Sequence, residues 1–133
     1  MTEGLGLVGI VLVSHSEALA EGAADLVRQI AGGATVVPAG GAPDGGLGTS
    51  PDKIEAAIED ADAGSGVVLI PDLGSAVLSA RSVLADLAGE TTAQLVDAPF
   101  VEGAVAAAVA AGTGADLPAV IAAAEEARDA AKF

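Results

Sequence analysis

The run Leu7–Val13 reads LVGIVLV and is apolar on both of its alternating sets of positions, the pattern of a strand buried on both faces of a parallel sheet. Three more short apolar runs follow: Thr35–Pro38 (TVVP), Gly66–Ile70 (GVVLI) and the weaker Ala93–Val96 (AQLV). Helical patterns separate them. Glu17–Ala31 places Leu19, Ala23, Leu26, Val27 and Ile30 on one stripe, expected to face inward, and ends at Gly32-Gly33. Ser50 reads as an N-cap and Pro51 as the first position of a helix that runs to Asp62 with Ile54, Ala57 and Ile58 inward. A third helix opens near Gly74, runs to about Leu87 and is closed by Gly89. Two more, Val101–Ala111 and Leu117–Lys132, are joined at Gly112-Thr113-Gly114, with Asp116 as a cap before Pro118.

Strands alternating with helices in the order β-α-β-α-β-α-β-α-α predict an α/β fold, a single domain over residues 1–133. Its sheet is expected to be open, mainly parallel and four-stranded, with helices on both faces. Right-handed crossovers give the strand order 2-1-3-4, so the chain changes direction across the sheet between strands 1 and 3. Ligands bind in such folds at the carboxyl ends of those two strands. There the sequence places His15, its only histidine, and Asp72.

Composition narrows the chemistry. With no cysteine and one histidine, the chain offers no disulfide framework, no thiol nucleophile and no ordinary zinc site, and no metal is expected. Nineteen acidic residues against five basic ones, a formal charge of −14, make a surface that repels nucleic acid and anionic membranes. No apolar run reaches the roughly 18 to 20 residues of a membrane span, and Met1–Gly4 lacks the positive charge of a signal peptide. The expectation is a soluble, cytoplasmic protein. Abundant alanine and glycine with scarce lysine fit the acidic surface of a protein from a high-salt cytoplasm, where self-repulsion is screened. An ordinary acidic protein from an organism with alanine-rich coding would look the same.

Several readings of the site residues stand side by side. A histidine at a strand end can simply be tied into its loop, or can bind an anion beside a helix N-terminus, or can carry a covalent group on one ring nitrogen while the other bonds a carboxylate. Asp72 can be that carboxylate, or the cap of the helix near Gly74. Ser14-x-x-Glu17 matches a capping box, and Ser16 can instead be the cap whose hydroxyl steadies a phosphate. A serine hydrolase is disfavoured, because its serine, histidine and acid must meet in space, whereas Ser14 and Ser16 are immediate neighbours of His15 and no Gly-x-Ser-x-Gly elbow exists. The glycine-rich segment 39–50 matches neither a Walker A loop nor a dinucleotide turn. It is read as a mobile surface loop or as a crevice wall offering backbone N–H groups.

Taken together, Val11-Leu12-Val13-Ser14-His15-Ser16, Gly48-Thr49, Asp72-Leu73-Gly74-Ser75-Ala76, Ala98-Pro99-Phe100-Val101-Glu102-Gly103-Ala104 and Gly114-Ala115-Asp116 form an ordered set. The set resembles the phosphotransferase (DhaM-type) subunits of PTS-dependent dihydroxyacetone kinases, over almost the whole chain. The resemblance implies a fold like the EIIA domain of the mannose-type sugar phosphotransferase system, and a homodimer. It implies that His15 accepts a phosphoryl group from phospho-HPr and passes it to ADP held on the kinase L subunit, whose ATP serves phosphorylation of dihydroxyacetone on the K subunit. No cofactor would be bound by this chain itself. By the same resemblance Asp72 orients His15, and Ser16, Thr49, Gly74 and Ser75 line the phosphate site. Arg28 and Arg81 are candidates for contact with acidic partners. Two alternatives stay open: a mannose-type EIIA component that serves a sugar transporter, and a non-catalytic anion-binding or regulatory module.

Overall fold

A computed structural model describes residues 6–133; Met1–Gly4 lies outside the described residues. Its elements are β1 (Gly9–Ser14), α1 (Glu17–Ile30), β2 (Thr35–Gly40), α2 (Pro51–Ala61), β3 (Val67–Pro71), α3 (Gly74–Asp86), β4 (Ala93–Leu95), α4 (Phe100–Gly112) and α5 (Leu117–Glu126). All three pairings are parallel and the strand order is β2-β1-β3-β4, as the alternation of elements predicts. Strand boundaries differ from the expected ones by one or two residues. The alternation of β1 shows why its run had to be apolar throughout. Ile10 and Leu12 pack with α1, α4 and α5 on one face of the sheet, while Val11 and Val13 pack with α2 and α3 on the other.

Local signals start the helices as expected. Ser50 accepts a hydrogen bond from Lys53 N with Pro51 next in the chain, and Asp116 accepts one from Ala119 N. Two expectations need correction. The stripe of α1 that faces the sheet is Ala20, Ala23, Ala24 and Val27, and Leu19, Leu26 and Ile30 are instead exposed on its flank. Small alanines let the helix sit close on β2, and the larger side chains have no room beneath it. The last helix does not run to Lys132: α5 ends at Glu126 and tightens into a single 3-10 turn, Ala127–Asp129. Arg128 closes this turn by donating to the backbone carbonyls of Glu125 and Asp97.

Gly40, at the end of β2, makes the close approach of α1 possible. A Cβ there would lie 2.5 Å from the Ser16 carbonyl oxygen, 2.7 Å from Ala20 Cβ and 3.0 Å from Glu17 Cα. None of these atoms can move without shifting the start of α1. Gly40→Ala is therefore expected to cost about 1–3 kcal/mol, as overpacking of a tight interior does, read as a lower urea midpoint with an unchanged m-value.

The two sheet edges are protected. On β2, Arg28 donates from Nε (3.1 Å) and Nη2 (2.6 Å) to the Val36 carbonyl, Pro38 has no N–H, and Lys53 Nζ donates to Gly40 O at 3.1 Å. β4 has only three residues. Capped carbonyls, proline and shortness are the usual means of stopping another strand from adding to an edge.

Candidate functional site

Strand β1 ends at Ser14, which is fully buried, and His15 is the first residue beyond it. Hydrogen bonding between the two central strands continues past their ends: Asp72 N donates to Val13 O at 2.9 Å. This bond brings Asp72, at the end of β3, alongside His15. The convergence expected from the strand order is thus built by the sheet itself.

The Asp72 carboxylate collects three hydrogen bonds. Oδ2 accepts from Ser14 Oγ at 2.9 Å and from the backbone N–H of His15 at 3.1 Å, while Oδ1 lies 3.0 Å from His15 Nδ1. Burial, with only 8% of the side chain exposed, by itself raises the Asp72 pKa. The bonds from the His15 backbone and imidazole and from Ser14 outweigh burial, and the net shift is below the usual 3.8. Asp72 is accordingly a carboxylate at neutral pH and can only accept. Its neighbour Nδ1 must then carry the imidazole proton, which leaves the lone pair on Nε2.

Nε2 points away from Asp72 and meets the Ser75 hydroxyl at 2.7 Å. Ser75 stands in the first turn of α3, a helix of 13 residues whose N-terminus has no side-chain cap. Such an end presents unsatisfied backbone N–H groups and the positive end of the helix dipole, both suited to a phosphate. The His15 side chain is one quarter exposed, so Nε2 can be approached from solvent.

The glycine-rich segment is a wall of this site. Gly41 N donates to Ser14 O at 3.1 Å and Gly48 N to His15 O at 2.9 Å, with φ of +85° and +139° at these two glycines, a region that side chains disfavour. Lys53 Nζ ties the loop to both flanking helices, bonding Gly40 O and Ala42 O at 3.1 Å and Glu17 Oε2 at 3.3 Å. Thr49 does not touch the imidazole; its hydroxyl is 2.5 Å from that of Ser79, one turn beyond Ser75 on α3.

Of the residues named from the sequence, His15, Asp72 and Ser75 form one hydrogen-bonded line. Ser16 caps α1, accepting from Leu19 N at 3.1 Å. Gly74 opens α3, and a Cβ there would meet nothing within 4 Å. The capping reading of Ser14 is corrected: its hydroxyl donates to Asp72 and accepts from Ser16 N at 3.0 Å, and Ser16 is the cap. Nor does Asp72 cap α3, whose N-cap Leu73 makes no side-chain bond. The positioning parts that sequence reasoning missed are Ser14 and Ser79. Ser14 carried a usable signal, since a hydroxyl buried at the end of a two-sided strand must find a partner. Among the described residues no three His, Cys, Asp or Glu side chains are grouped to hold a metal, and no helix is long and apolar enough to cross a membrane.

The acceptance of three bonds by Asp72 links the site to stability. Its depressed pKa contributes stability that is fully present above the unfolded-state value and is lost as pH falls through the folded-state value. Wild type is thus expected to lose stability below about pH 4 more steeply than Asp72→Asn, whose side chain does not titrate. Urea midpoints of both proteins at neutral and acid pH check this.

Comparison with known proteins places this geometry in a family. A family model described as the PTS system fructose IIA component, EIIA-man, matches residues 9–121. The phosphoryl donor subunit DhaM of the PEP-dependent dihydroxyacetone kinase of Escherichia coli is 40% identical over 121 residues, 86% of this chain. This chain spans about a quarter (26%) of that protein's length. A DhaM subunit of Listeria innocua is 39% identical, with 75% of this chain and 78% of that protein covered; for the Lactococcus lactis phosphotransferase subunit DhaM the figures are 35%, 84% and 89%. A crystal structure of a protein of unknown function superposes with a TM-score of 0.80 at 38% identity, covering 91% of this chain and 95% of that one. The parallel 2-1-3-4 sheet and the match across both halves of the site agree, and the chain belongs to the EIIA-man family.

Proposed function

We propose that this chain is the phosphoryl carrier of a PTS-dependent dihydroxyacetone kinase, taking a phosphoryl group from phospho-HPr onto His15 and giving it to ADP on the kinase L subunit, next to the K subunit. The observation that carries the proposal is the line Asp72–His15–Ser75, with a carboxylate on Nδ1 and a lone pair on Nε2 aimed at an uncapped helix start. Named DhaM relatives support the choice of kinase.

In the forward step the Nε2 lone pair attacks phosphorus, and the bond to the donor's histidine nitrogen breaks with its electron pair returning to the donor. The imidazole, now carrying a proton on Nδ1 and phosphorus on Nε2, is cationic. The Asp72 carboxylate at 3.0 Å stabilises that charge. The Ser75 hydroxyl and the α3 N-terminus meet the phosphoryl oxygens. In the return step a terminal phosphate oxygen of ADP attacks phosphorus, the P–Nε2 bond breaks, and the electron pair goes back to Nε2. Nδ1 keeps its proton throughout. Ser16, Thr49 and Gly74 frame the site: Thr49 through Ser79, Ser16 through the start of α1 and Gly74 by leaving the approach open. The chain needs no cofactor of its own; the nucleotide stays on the L subunit. The protein works in the cytoplasm as a homodimer, and its acidic surface suits high salt.

The sugar-transport description of the family model favours a second acceptor, the B component of a transporter, reached by the same chemistry on His15. Incubation with phospho-HPr, then with the L subunit and ADP, separates the readings. ATP formed at the expense of labelled protein supports the kinase; label that stays until a transporter B component is added supports the second reading. A chain that takes up no acid-labile phosphate overturns both.

A further inference from the structure

We propose that, when His15 carries no phosphoryl group, Ser75, His15 and Asp72 act as a nucleophile, base and acid triad, and that the chain hydrolyses small uncharged esters with Ser75 as the acyl acceptor. Sequence spacing disfavours a hydrolase only through Ser14 and Ser16. The fold brings a third serine, 60 positions from His15, to the ring nitrogen that Asp72 does not hold. Ser75 Oγ lies 2.7 Å from Nε2, and Nδ1 lies 3.0 Å from Asp72 Oδ1. Both contacts have the length that links a nucleophile to its base and the base to the acid that orients it, and such a triad is recognised by geometry rather than by order in the chain. Asp72 fixes the roles. Being ionised, it keeps the proton on Nδ1, so Nε2 accepts and the Ser75 hydroxyl donates. A serine nucleophile needs its base in this protonation state.

The surroundings of Ser75 complete the site. Its hydroxyl has no partner other than Nε2 among the described residues, and the residue is exposed, so a carbonyl carbon can reach it. Neither Gly74 N nor Ser75 N, the first two N–H groups of α3, donates to another group among the described residues. They are available to the oxygen that becomes negative when the carbonyl is attacked. In the first step the Ser75 oxygen bonds to the carbonyl carbon and its proton moves to Nε2. The bond to the leaving alcohol then breaks, and that alcohol takes the proton from Nε2. Water repeats the sequence on the acylated Ser75, giving its proton to Nε2, and the serine oxygen recovers it as the free acid departs. Two features set the substrate class. The site is open, with a one-quarter-exposed imidazole and a glycine at position 74 that meets nothing within 4 Å of an added Cβ, which suits a short acyl group. The formal charge of −14 opposes the approach of anionic acyl donors, which favours uncharged ones. Phosphorus on Nε2 removes the base, so the two activities exclude each other.

Two uncharged probes test this on the unphosphorylated chain. Diisopropyl fluorophosphate traps an activated serine: the oxygen bonds to phosphorus, fluoride leaves, and the adduct persists for mapping by mass spectrometry. Wild type is expected to gain one adduct, on Ser75. Labelling should be absent in Ser75→Ala and at least about 100-fold slower in His15→Ala, the lower end of what a positioned base contributes. p-Nitrophenyl acetate gives the turnover. Its hydrolysis should fall to the buffer rate in Ser75→Ala, and Asp72→Asn, which sets the wrong tautomer, should lower it by about 10⁴-fold. Alanine is a strong helix former at an exposed position in the first turn, so Ser75→Ala should keep the fold. No adduct on wild type, an adduct on a residue other than Ser75, or equal labelling of wild type and His15→Ala overturns the triad. Phosphate uptake from phospho-HPr is measured separately on wild type. Failure of the serine labelling leaves the phosphoryl carrier standing, and failure of phosphate uptake leaves the triad standing.

Discussion

His15→Ala is expected to take no phosphoryl group from phospho-HPr, with intact-protein mass unchanged under conditions that fully label wild type. The loss should be complete rather than partial, because the sequence holds no other histidine and no cysteine. Among the hydroxyls beside the site, Ser14 is engaged on Asp72, Ser16 on Leu19 N and Thr49 on Ser79, while Ser75 loses Nε2, the base it is bonded to, and a hydroxyl without an adjacent base is a weak nucleophile. Folding should survive the change. The His15 backbone keeps its bonds to Asp72 and Gly48, and the side chain that is removed was one quarter exposed. A stability loss within about 1 kcal/mol is expected, the cost of one hydrogen bond to a charged partner partly repaid by solvent.

Asp72→Asn should be the more informative loss, and it should be slower than Asp72→Ala. In wild type one carboxylate oxygen faces two donors, the Ser14 hydroxyl and the His15 N–H, and the other faces Nδ1. An asparagine must turn its single oxygen toward the backbone N–H, which cannot change its role. Its NH2 then faces Nδ1 and fixes the imidazole in the tautomer protonated at Nε2, with no lone pair for attack. Alanine imposes no tautomer, and water can restore the productive one. The expected order of transfer rates is wild type over Asp72→Ala over Asp72→Asn, with the asparagine variant down by about 10²–10⁴-fold, the range over which a positioned acid–base partner acts. Rapid-quench measurement of His15 phosphorylation gives the order. Equal rates for the two variants would mean that Asp72 acts through charge alone.

Much of this arrangement was legible in the residues because it depends on local pattern. LVGIVLV could be satisfied only by burial on both faces, a fully buried central strand forces helices on both sides, and right-handed crossovers then bring His15 and Asp72 to one end of the sheet. Caps at Ser50 and Asp116 were equally local. What the pattern could not show depends on distances between elements. The inward stripe of α1 was assigned to its largest side chains, whereas the close approach at Gly40 selects alanines and turns Leu19, Leu26 and Ile30 aside. Hydropathy ranks side chains by cost of exposure and knows nothing of the room beneath a helix. Ser14 was assigned by its spacing from Glu17, a local rule that lost to a buried carboxylate arriving from another strand. The resemblance implies that Thr49 lines the phosphate site, but no spacing shows that its hydroxyl pairs with that of Ser79 on α3. Hydroxyl pairs of this kind, joining a loop to a distant helix, leave no trace in spacing.

The central claim is that Nε2 of His15, with Nδ1 kept protonated by Asp72, carries the phosphoryl group. Nitrogen-15 and phosphorus-31 NMR of histidine-labelled protein, phosphorylated by phospho-HPr, tests it directly. The account predicts phosphorus coupled to Nε2 and a slowly exchanging proton retained on Nδ1. Phosphorus coupled to Nδ1, or no phosphohistidine at all, would contradict it.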